Sequence, residues 1–506
     1  MDTSTFIFLS TILCLALKFL FFNTYKNRRL PPGPPAIPFL ARFIWQRKSI
    51  FDIEDILREL HAQHGPVVTL RITSRPTIFI SDRHLAHQAL VQSSATFAHR
   101  PPAMEPNHFL TCGQHDISSA TYGPLWRLLR RNLTAEILHP SRVKLFAPAR
   151  RWVLEILMNK LKAGAGARGG EVVVMESFQY AMFCLLVLMC FGEKLDEKAI
   201  REMKAVMTVL LLNFTDFPIF SFFPRITKLL FRRRWNKIVE DRRKLEDIFI
   251  PLIRARRNRK QQSDEDRFVY SYVDSLLGLS LPEEEGGRKL TEGEMVSLCF
   301  EFMTGGTDTT ATALQWIMAN LVKHQDMQRK LLGEIEGVVG SDGEEVKEEA
   351  LQRLPYLKAV IMEALRRHPP AHFLLPHTVA EDMTLNGYLI PKGAEVHFMV
   401  AEMGRDEKVW EEPMEFKPER FLAGGAGEGV DVTGSREIKM MPFGAGRRIC
   451  PGFGLAMLHL EYFVANLVWK FEWKALEGEE VDLMEKLLFT VAMKNPLRAR
   501  ICTRNK

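Results

Sequence analysis

A cysteine set in a loop of small residues near the C-terminus constrains this chain most: Phe443-Gly444-Ala445-Gly446-Arg447-Arg448-Ile449-Cys450-Pro451-Gly452. A thiolate, not a thiol, ligates metal, and its charge needs backbone N–H groups or cations beside it. Glycines at 444, 446 and 452 let backbone approach the sulfur closely, and Arg448 adds a cation able to form charge-assisted pairs. Pro451 suits the first turn of a helix, and Gly454 to Glu461 continues with helical character. The sulfur then sits near the positive end of a helix dipole, which favours the thiolate. Taken as Cys-x-Gly alone, the same residues fit a buried, inert cysteine in a turn.

The full pattern is more specific. Phe443, Gly446, Arg448, Cys450 and Gly452 spell Phe-x-x-Gly-x-Arg-x-Cys-x-Gly, and with it the chain resembles the haem-thiolate monooxygenases of the cytochrome P-450 superfamily. The resemblance implies haem b, with Cys450 as the iron ligand and Arg448 paired to a propionate.

Further signatures follow in the family's order. Thr304-Gly305-Gly306-Thr307-Asp308-Thr309-Thr310 lies inside a helical pattern from Thr291 to His324, opened by a capping box of Thr291 and Glu294. Two mid-helix glycines cost about 1 kcal/mol each relative to alanine, so something must compensate. Tight helix packing, or a break with Thr307 capping a second helix, is one account. The resemblance implies another: Gly305 and Gly306 make room for dioxygen, while Asp308 and Thr309 relay protons. Glycine stands at 305 where the family more often has alanine.

Trp126-x-x-x-Arg130 places two side chains one turn apart on a helix face. The pattern alone equally fits an amphipathic helix with Arg127, Arg130 and Arg131 in solvent; the resemblance makes Trp126 and Arg130 propionate neighbours, with His377 another. Glu363-x-x-Arg366 is common by chance, but with Phe416-Lys417-Pro418-Glu419-Arg420-Phe421 it resembles the family's buried Glu-Arg-Arg network, a structural element. The stretches LRITSRP, AEILHPSR and TDTTATALQWIMANLVK are similar to plant endoplasmic-reticulum members, in particular subfamily eighty-nine A.

At 506 residues the chain is long for one domain, yet no linker interrupts it, and 46% hydrophobic residues support one large core. Its seven cysteines are scattered without Cys-x-x-Cys, which argues for a reducing compartment and against a disulfide scaffold. Cys-x-x-Cys-His is absent, so covalent c-type haem is not indicated. The net charge of +7 concentrates at Arg232-Arg233-Arg234, Arg242-Arg243 and Arg254 to Lys260. With no nucleic-acid motif beside them these read as solvated helix faces, and no nucleic-acid partner is expected.

Phe6 to Phe22 is apolar apart from Ser10, Thr11 and Lys18, near the lower length limit for a membrane-spanning helix. Basic residues follow it, which argues against a cleaved signal peptide and keeps the bulk of the chain cytosolic. Leu30-Pro31-Pro32-Gly33-Pro34-Pro35 reads as a semi-rigid spacer. We expect an anchor at 1–25, a basic and proline-rich hinge at 26–38 and a catalytic domain at 39–506.

Within that domain a helix is expected at 51–61 and a β-hairpin from 67–72 and 77–80. Further helices are expected at 82–91, 122–138, 142–162, 178–190 and 356–368, with short strands at 383–389 and 394–400. Surface loops are expected at 161–170, 282–288 and 423–434. The fold class is mostly α (α+β): one large helical domain with small sheets.

The resemblance implies a monooxygenase inserting one atom of dioxygen into a small lipophilic substrate. The chain has no flavin or dinucleotide fingerprint, so electrons are expected from NADPH through the membrane-bound NADPH–cytochrome P-450 reductase. Arg127, Arg131 and Arg447 are expected docking contacts. The expected setting is the endoplasmic reticulum membrane, single-pass, with a cytosolic catalytic domain. By family position the substrate is lined by 108–118, Phe214, Phe217, Phe220, Phe222, Phe223, Phe302, 372–375 and 489–491. A haem-thiolate isomerase or dehydratase acting on oxygenated lipids without a reductase, or a non-catalytic haem protein, are the alternatives. Asp308 and Thr309 argue against the first of these, because such chemistry needs no proton relay.

Overall fold

The longest helix begins where its capping box sets it. Thr291 Oγ1 accepts from the Glu294 N–H at 3.2 Å and Glu294 Oε2 from the Thr291 N–H at 2.7 Å, satisfying two donors that a helix start leaves free. The helix then runs unbroken from Glu292 to Lys323, straight through Gly305 and Gly306, so it does not restart at Thr307.

The computed structural model describes residues 30–34, 53–71, 75–167, 169–215, 219–221, 224–260, 270–340 and 343–504. The expected anchor and most of the expected hinge lie outside them.

The first half of the chain carries α1 (Ile53–His64), β1 (Val67–Leu70), β2 (Thr77–Ile80), α2 (Arg83–His87), α3 (Asn107–Leu110), α4 (Pro124–Glu136), α5 (Pro140–Leu145), α6 (Ala147–Ala167), β3 (Glu171–Val173), α7 (Val174–Phe191), α8 (Glu197–Thr215), α9 (Pro224–Leu230) and α10 (Arg232–Lys260). The second half carries α11 (Tyr272–Gly278), α12 (Glu292–Lys323), α13 (Gln325–Val339), α14 (Pro355–Arg367), β4 (His377–Thr378), β5 (Met383–Leu385), β6 (Tyr388–Ile390), β7 (Glu395–Phe398), α15 (Val400–Gly404), α16 (Phe453–Lys470), β8 (Phe471–Lys474), β9 (Glu485–Leu487), β10 (Val491–Met493) and β11 (Arg498–Thr503). One sheet runs β1-β2-β7-β4, with β2 and β7 parallel and the other pairs antiparallel; β3-β11-β8 form a second, and β9-β10 and β5-β6 are hairpins.

Several sequence expectations shift. The expected helix at 142–162 is two, α5 and α6, parted at Phe146. The expected loop at 161–170 is mostly helix, because α6 continues to Ala167 with Leu161 buried and tolerates Gly164 and Gly166. The expected strand 383–389 is the β5-β6 hairpin, turned by Asn386 and Gly387 at φ of +51° and +76°, the Asn-Gly signal of a tight turn. The described part of the hinge is docked: Pro32 O accepts from the Thr69 N–H of β1 at 2.8 Å, and a Cβ on Gly33 would fall 1.9 Å from the Thr69 carbonyl.

α12 is the axle of the helical core. Leu314, Trp316, Ile317, Met318 and Ala319 are fully buried, and Trp316 stacks on His368 at 4.0 Å. Each large apolar side chain so buried contributes about 1.5–3 kcal/mol. Across from it, α7 is long and apolar enough to cross a membrane, but 72% of that span is buried, so it is a core helix. A smaller core lies under the four-stranded sheet and takes in Ala445, while Leu455 of α16 belongs to the helical core. The Cys450 loop therefore bridges the two cores.

Candidate active site

Cys450 stands two residues before Gly452, the N-cap of α16, so the expected helix start holds within two residues. The Cys450 N–H donates to Phe443 O at 2.8 Å, closing the loop on itself. Phe443 packs near Phe453 at 6.3 Å between ring centres. Burial pushes the Cys450 thiol above its usual range, while a hydrogen bond from Gly452 and the charge of Arg130 favour the thiolate. The glycines have separate reasons. A Cβ on Gly452 would sit 4.0 Å from the sulfur, but Gly446, at φ +68°, would place one 1.8 Å from the Leu90 carbonyl. Gly446 thus serves the close approach of the loop to the segment after α2.

Arg448, Arg130 and Arg100 converge beside this loop. Arg448 donates to the carbonyls of Ala98 (2.7 Å), Ile117 (3.1 Å) and Ala120 (2.6 Å), and its guanidinium lies 4.5 Å from the Trp126 ring centre. Arg130 donates to Ile449 O at 2.6 Å, next to the cysteine. Arg100, which the sequence reading did not single out, donates to Ser118 O (2.7 Å), Leu375 O (2.9 Å) and Pro376 O (2.7 Å). Burial, then repulsion from Arg100 and Arg130, brings Arg448 down to about 9; burial brings Arg100 down to about 10. His377 donates from Nδ1 to Phe97 O at 2.6 Å, and burial, then Arg100, hold it well below the usual imidazole range.

These residues fit haem. Among the described residues none of the three guanidiniums donates to a carboxylate. Asp116 and Glu301, the nearby acids, are spent on backbone N–H groups of Ile117, Ser118 and Ser119. The Trp126 indole N–H is buried with no hydrogen-bond partner. Two propionates would supply the acceptor that the Trp126 N–H lacks and the negative charge that the three guanidiniums lack, since buried donors normally have partners.

α12 presents the other expected residues on separate sides. Gly305 is exposed and a Cβ there would meet nothing within 4 Å. One turn on, Thr309 Oγ1 donates to Gly305 O at 2.6 Å. Gly306 differs: its Cβ would meet Leu186 Cδ1 of α7 at 2.8 Å and Cγ at 3.2 Å, so a side chain there makes Leu186 shift, while of the two glycines only Gly305 borders open space. Asp308 Oδ1 accepts from Gln179 Nε2 at 2.9 Å, and Lys204 Nζ donates to Gln179 Oε1 at 2.9 Å. Burial raises the Asp308 carboxyl, opposed by Lys204 and Gln179, and burial lowers Lys204. The acid and the alcohol therefore hydrogen-bond to different partners.

The Glu-Arg-Arg network forms as expected. Arg366 pairs bidentately with Glu363 at 2.7 Å on both oxygens, Arg420 Nε reaches Glu363 Oε1 at 3.3 Å, and the Lys417 N–H adds a bond at 2.8 Å.

The expected lining is only partly open. Phe220 is buried against Trp235 at 5.4 Å and Phe302 packs on Tyr272 at 5.1 Å. Phe217, Phe222, Phe223 and the Phe214 side chain lie outside the described residues. His372 is buried between Glu54 (2.7 Å) and Glu485 (3.5 Å), in the wall of a polar cleft of about 960 Å³. Thr490 Oγ1 lies 3.0 Å from Thr312 Oγ1 and Val491 O accepts from Trp316 Nε1 at 2.7 Å, which ties the β9-β10 hairpin to α12. Leu375 and Phe489 remain exposed, at 53% and 41%. Besides Arg100, Glu301, Gln179 and Lys204 escaped the sequence reading, because no short motif marks them; only their meeting across helices does.

A family profile described as Cytochrome P450 matches residues 31–503. "Cytochrome P450 89A9" of Arabidopsis thaliana is 50% identical over 518 aligned positions, covering 100% of both chains. "Flavonoid 3'-monooxygenase" of Arabidopsis thaliana is 32% identical, covering 97% of this chain and 95% of its own, and "Tryptamine 5-hydroxylase" of Oryza sativa subsp. japonica is 31% identical, covering 94% and 90%. In three dimensions the chain is similar to the solved "Zebra fish cytochrome P450 another structure with Abiraterone", at a TM-score of 0.71 and 23% identity, covering 89% of this chain and 99% of that one.

Proposed function

The chain belongs to the cytochrome P450 family, and from that premise we propose how its own residues divide the work. It is a haem-thiolate monooxygenase of the plant 89A type, using haem b and electrons from NADPH by way of a reductase. When bound, haem supplies dioxygen binding, and thiolate donation favours O–O cleavage. Cys450 holds the iron; Trp126, Arg130 and Arg448, joined by Arg100 and His377, hold the propionates. Phe443, Gly446 and Gly452 shape the thiolate loop. Gly305 leaves room on the oxygen side, Gly306 seats α12 against α7, and Asp308 and Thr309 deliver protons. The carrying observation is the orphaned Trp126 N–H beside three guanidiniums that lack carboxylate partners.

The redox partner is the NADPH–cytochrome P450 reductase, docked where Arg127, Arg131 and Arg447 are exposed, Arg127 and Arg447 flanking the Tyr122 ring, with Arg447 Nη1 2.5 Å from the Tyr122 hydroxyl. The substrate is a small lipophilic organic compound; exposed Leu375 and Phe489 supply apolar surface for it. We place the protein on the endoplasmic reticulum membrane, anchored by residues 1–25 through a hinge at 26–38, with the catalytic domain 39–506 in the cytosol. Ile226, Leu229, Leu230 and Phe231 are 57%, 72%, 70% and 42% exposed among Arg225, Arg232 and Arg233, a second surface suited to a lipid interface.

Reconstitution with reductase and lipid tests the reading. Cys450→Ala is expected to abolish the thiolate-type spectrum of the reduced carbon monoxide complex, and its retention would mean that another residue holds the iron. Turnover that runs equally well without reductase or NADPH would overturn the electron route.

A further inference from the structure

α7, α8 and α12 meet around Asp308 in a way that the acid–alcohol pair by itself does not require. Gln179 of α7 stands between two charges, donating to Asp308 Oδ1 and accepting from Lys204 of α8, each at 2.9 Å. Beside them lies a cavity of about 20 Å³ lined by Lys204, Met207, Met303, Thr304, Thr307 and Asp308 among others. A volume of that size admits one water, provided that polar partners are present. Such partners are there: Thr307 Oγ1 is buried with no hydrogen-bond partner, and Lys204 and Asp308 share the wall. Meanwhile the Thr309 hydroxyl is engaged with Gly305 O on another side of the helix.

We propose that Gln179 and Lys204 are positioning residues for proton delivery: they hold Asp308 toward the cavity between α7, α8 and α12, where it takes protons from solvent before passing them to the Gly305–Thr309 side. This rests on the reading of Asp308 as the proton donor. Each turnover converts a substrate C–H, dioxygen, NADPH and one proton into hydroxylated product, water and NADP+. The two electrons come from NADPH, and the two protons that complete the water enter along this route. A cavity water takes a proton from bulk solvent as it passes one to the Asp308 oxygen that Gln179 does not hold, so the water is unchanged, and Asp308 then releases the proton inward and returns to the carboxylate. An amide does not relay protons readily, so Gln179 orients. Lys204 fixes which way the amide points, because an ammonium only donates and so selects the Gln179 oxygen.

The test uses reconstituted, haem-loaded enzyme with Gln179→Leu, the size-matched Gln179→Glu, Lys204→Met and Lys204→Arg. Gln179→Leu, Gln179→Glu and Lys204→Met are expected to lower product per NADPH several-fold, with the lost reducing equivalents appearing as hydrogen peroxide, and to enlarge the solvent deuterium isotope effect. Lys204→Arg, which keeps the donor, is expected to restore both. An infrared band of the protonated Asp308 carboxyl, identified by its loss in Asp308→Asn, should shift in Gln179→Leu and Gln179→Glu whatever the activity. If Asp308→Asn changes coupling and the isotope effect while the Gln179 and Lys204 variants leave them and the band unchanged, the proposal fails and Asp308 keeps its role. If Asp308→Asn changes neither, the reading beneath it fails as well.

Discussion

Trp126 shows how much a single polar atom can carry. Its ring is 5% exposed and braced by two arginines, yet its N–H has nowhere to donate within the protein. Trp126→Phe keeps the packing and removes only that donor, so we expect faster haem loss to an apoprotein acceptor with little change in urea stability. Glu301 is the other telling residue. Burial, then the neighbouring Asp116, pushes its carboxyl up to about 8, against 4.5 ordinarily. Between those values the folded protein binds a proton that the unfolded chain has released, so stability falls as pH rises through the window. Glu301→Gln carries no charge in either state and should flatten that fall; thermal midpoints measured across the window check it.

Adjacent glycines in α12 separate cleanly at the scale of the element. Gly305→Ala adds a methyl to open space and removes a helix penalty of about 1 kcal/mol, so the melting temperature should rise while the carbon monoxide spectrum is kept. Gly306→Ala pushes against Leu186 and should destabilise by about 1–3 kcal/mol despite the same gain in propensity. Pairing it with Leu186→Ala should recover part of that loss, and a double-mutant cycle in denaturant measures the coupling. Both glycines interrupt the same helix, and it is the neighbour each one faces that distinguishes them.

Across the whole molecule, Glu363 joins α14 to the chain that leads into the cysteine loop. Removing it strands Arg366, fully buried, and Arg420, 8% exposed or less, without a counter-charge, which typically costs about 3–5 kcal/mol. Glu363→Ala should therefore shift urea unfolding by that order and lower the yield of haem-loaded protein. Deleting residues 1–29 should convert alkali-resistant membrane attachment into weak, salt-sensitive attachment through the basic and apolar surface of α9. Cell fractionation under both conditions distinguishes the two.

Motifs that lie close together in the chain were legible in the sequence. The capping box of Thr291 and Glu294 and the mostly helical class follow from local chemistry, because spacing on a helix or in a turn sets which groups meet. The cysteine loop, the Gly305–Thr309 stretch and the Glu363–Arg366 pair were instead legible through their resemblance to the family's motifs, since alone each fits a plainer structural reading. Whatever depends on chain-distant neighbours was not legible. Gly306 answers to Leu186, Gly446 to Leu90, and Asp308 to Gln179 and Lys204, partners more than a hundred residues away along the chain. Arg100 sits in no motif that the reading used, and becomes part of the site only when folding brings it against Ser118 and Pro376. Short-range pattern, through its resemblance to the family's motifs, indicated which chemistry the chain carries; tertiary packing decided which way each group faces, since contact and burial are properties of the neighbours that the fold supplies.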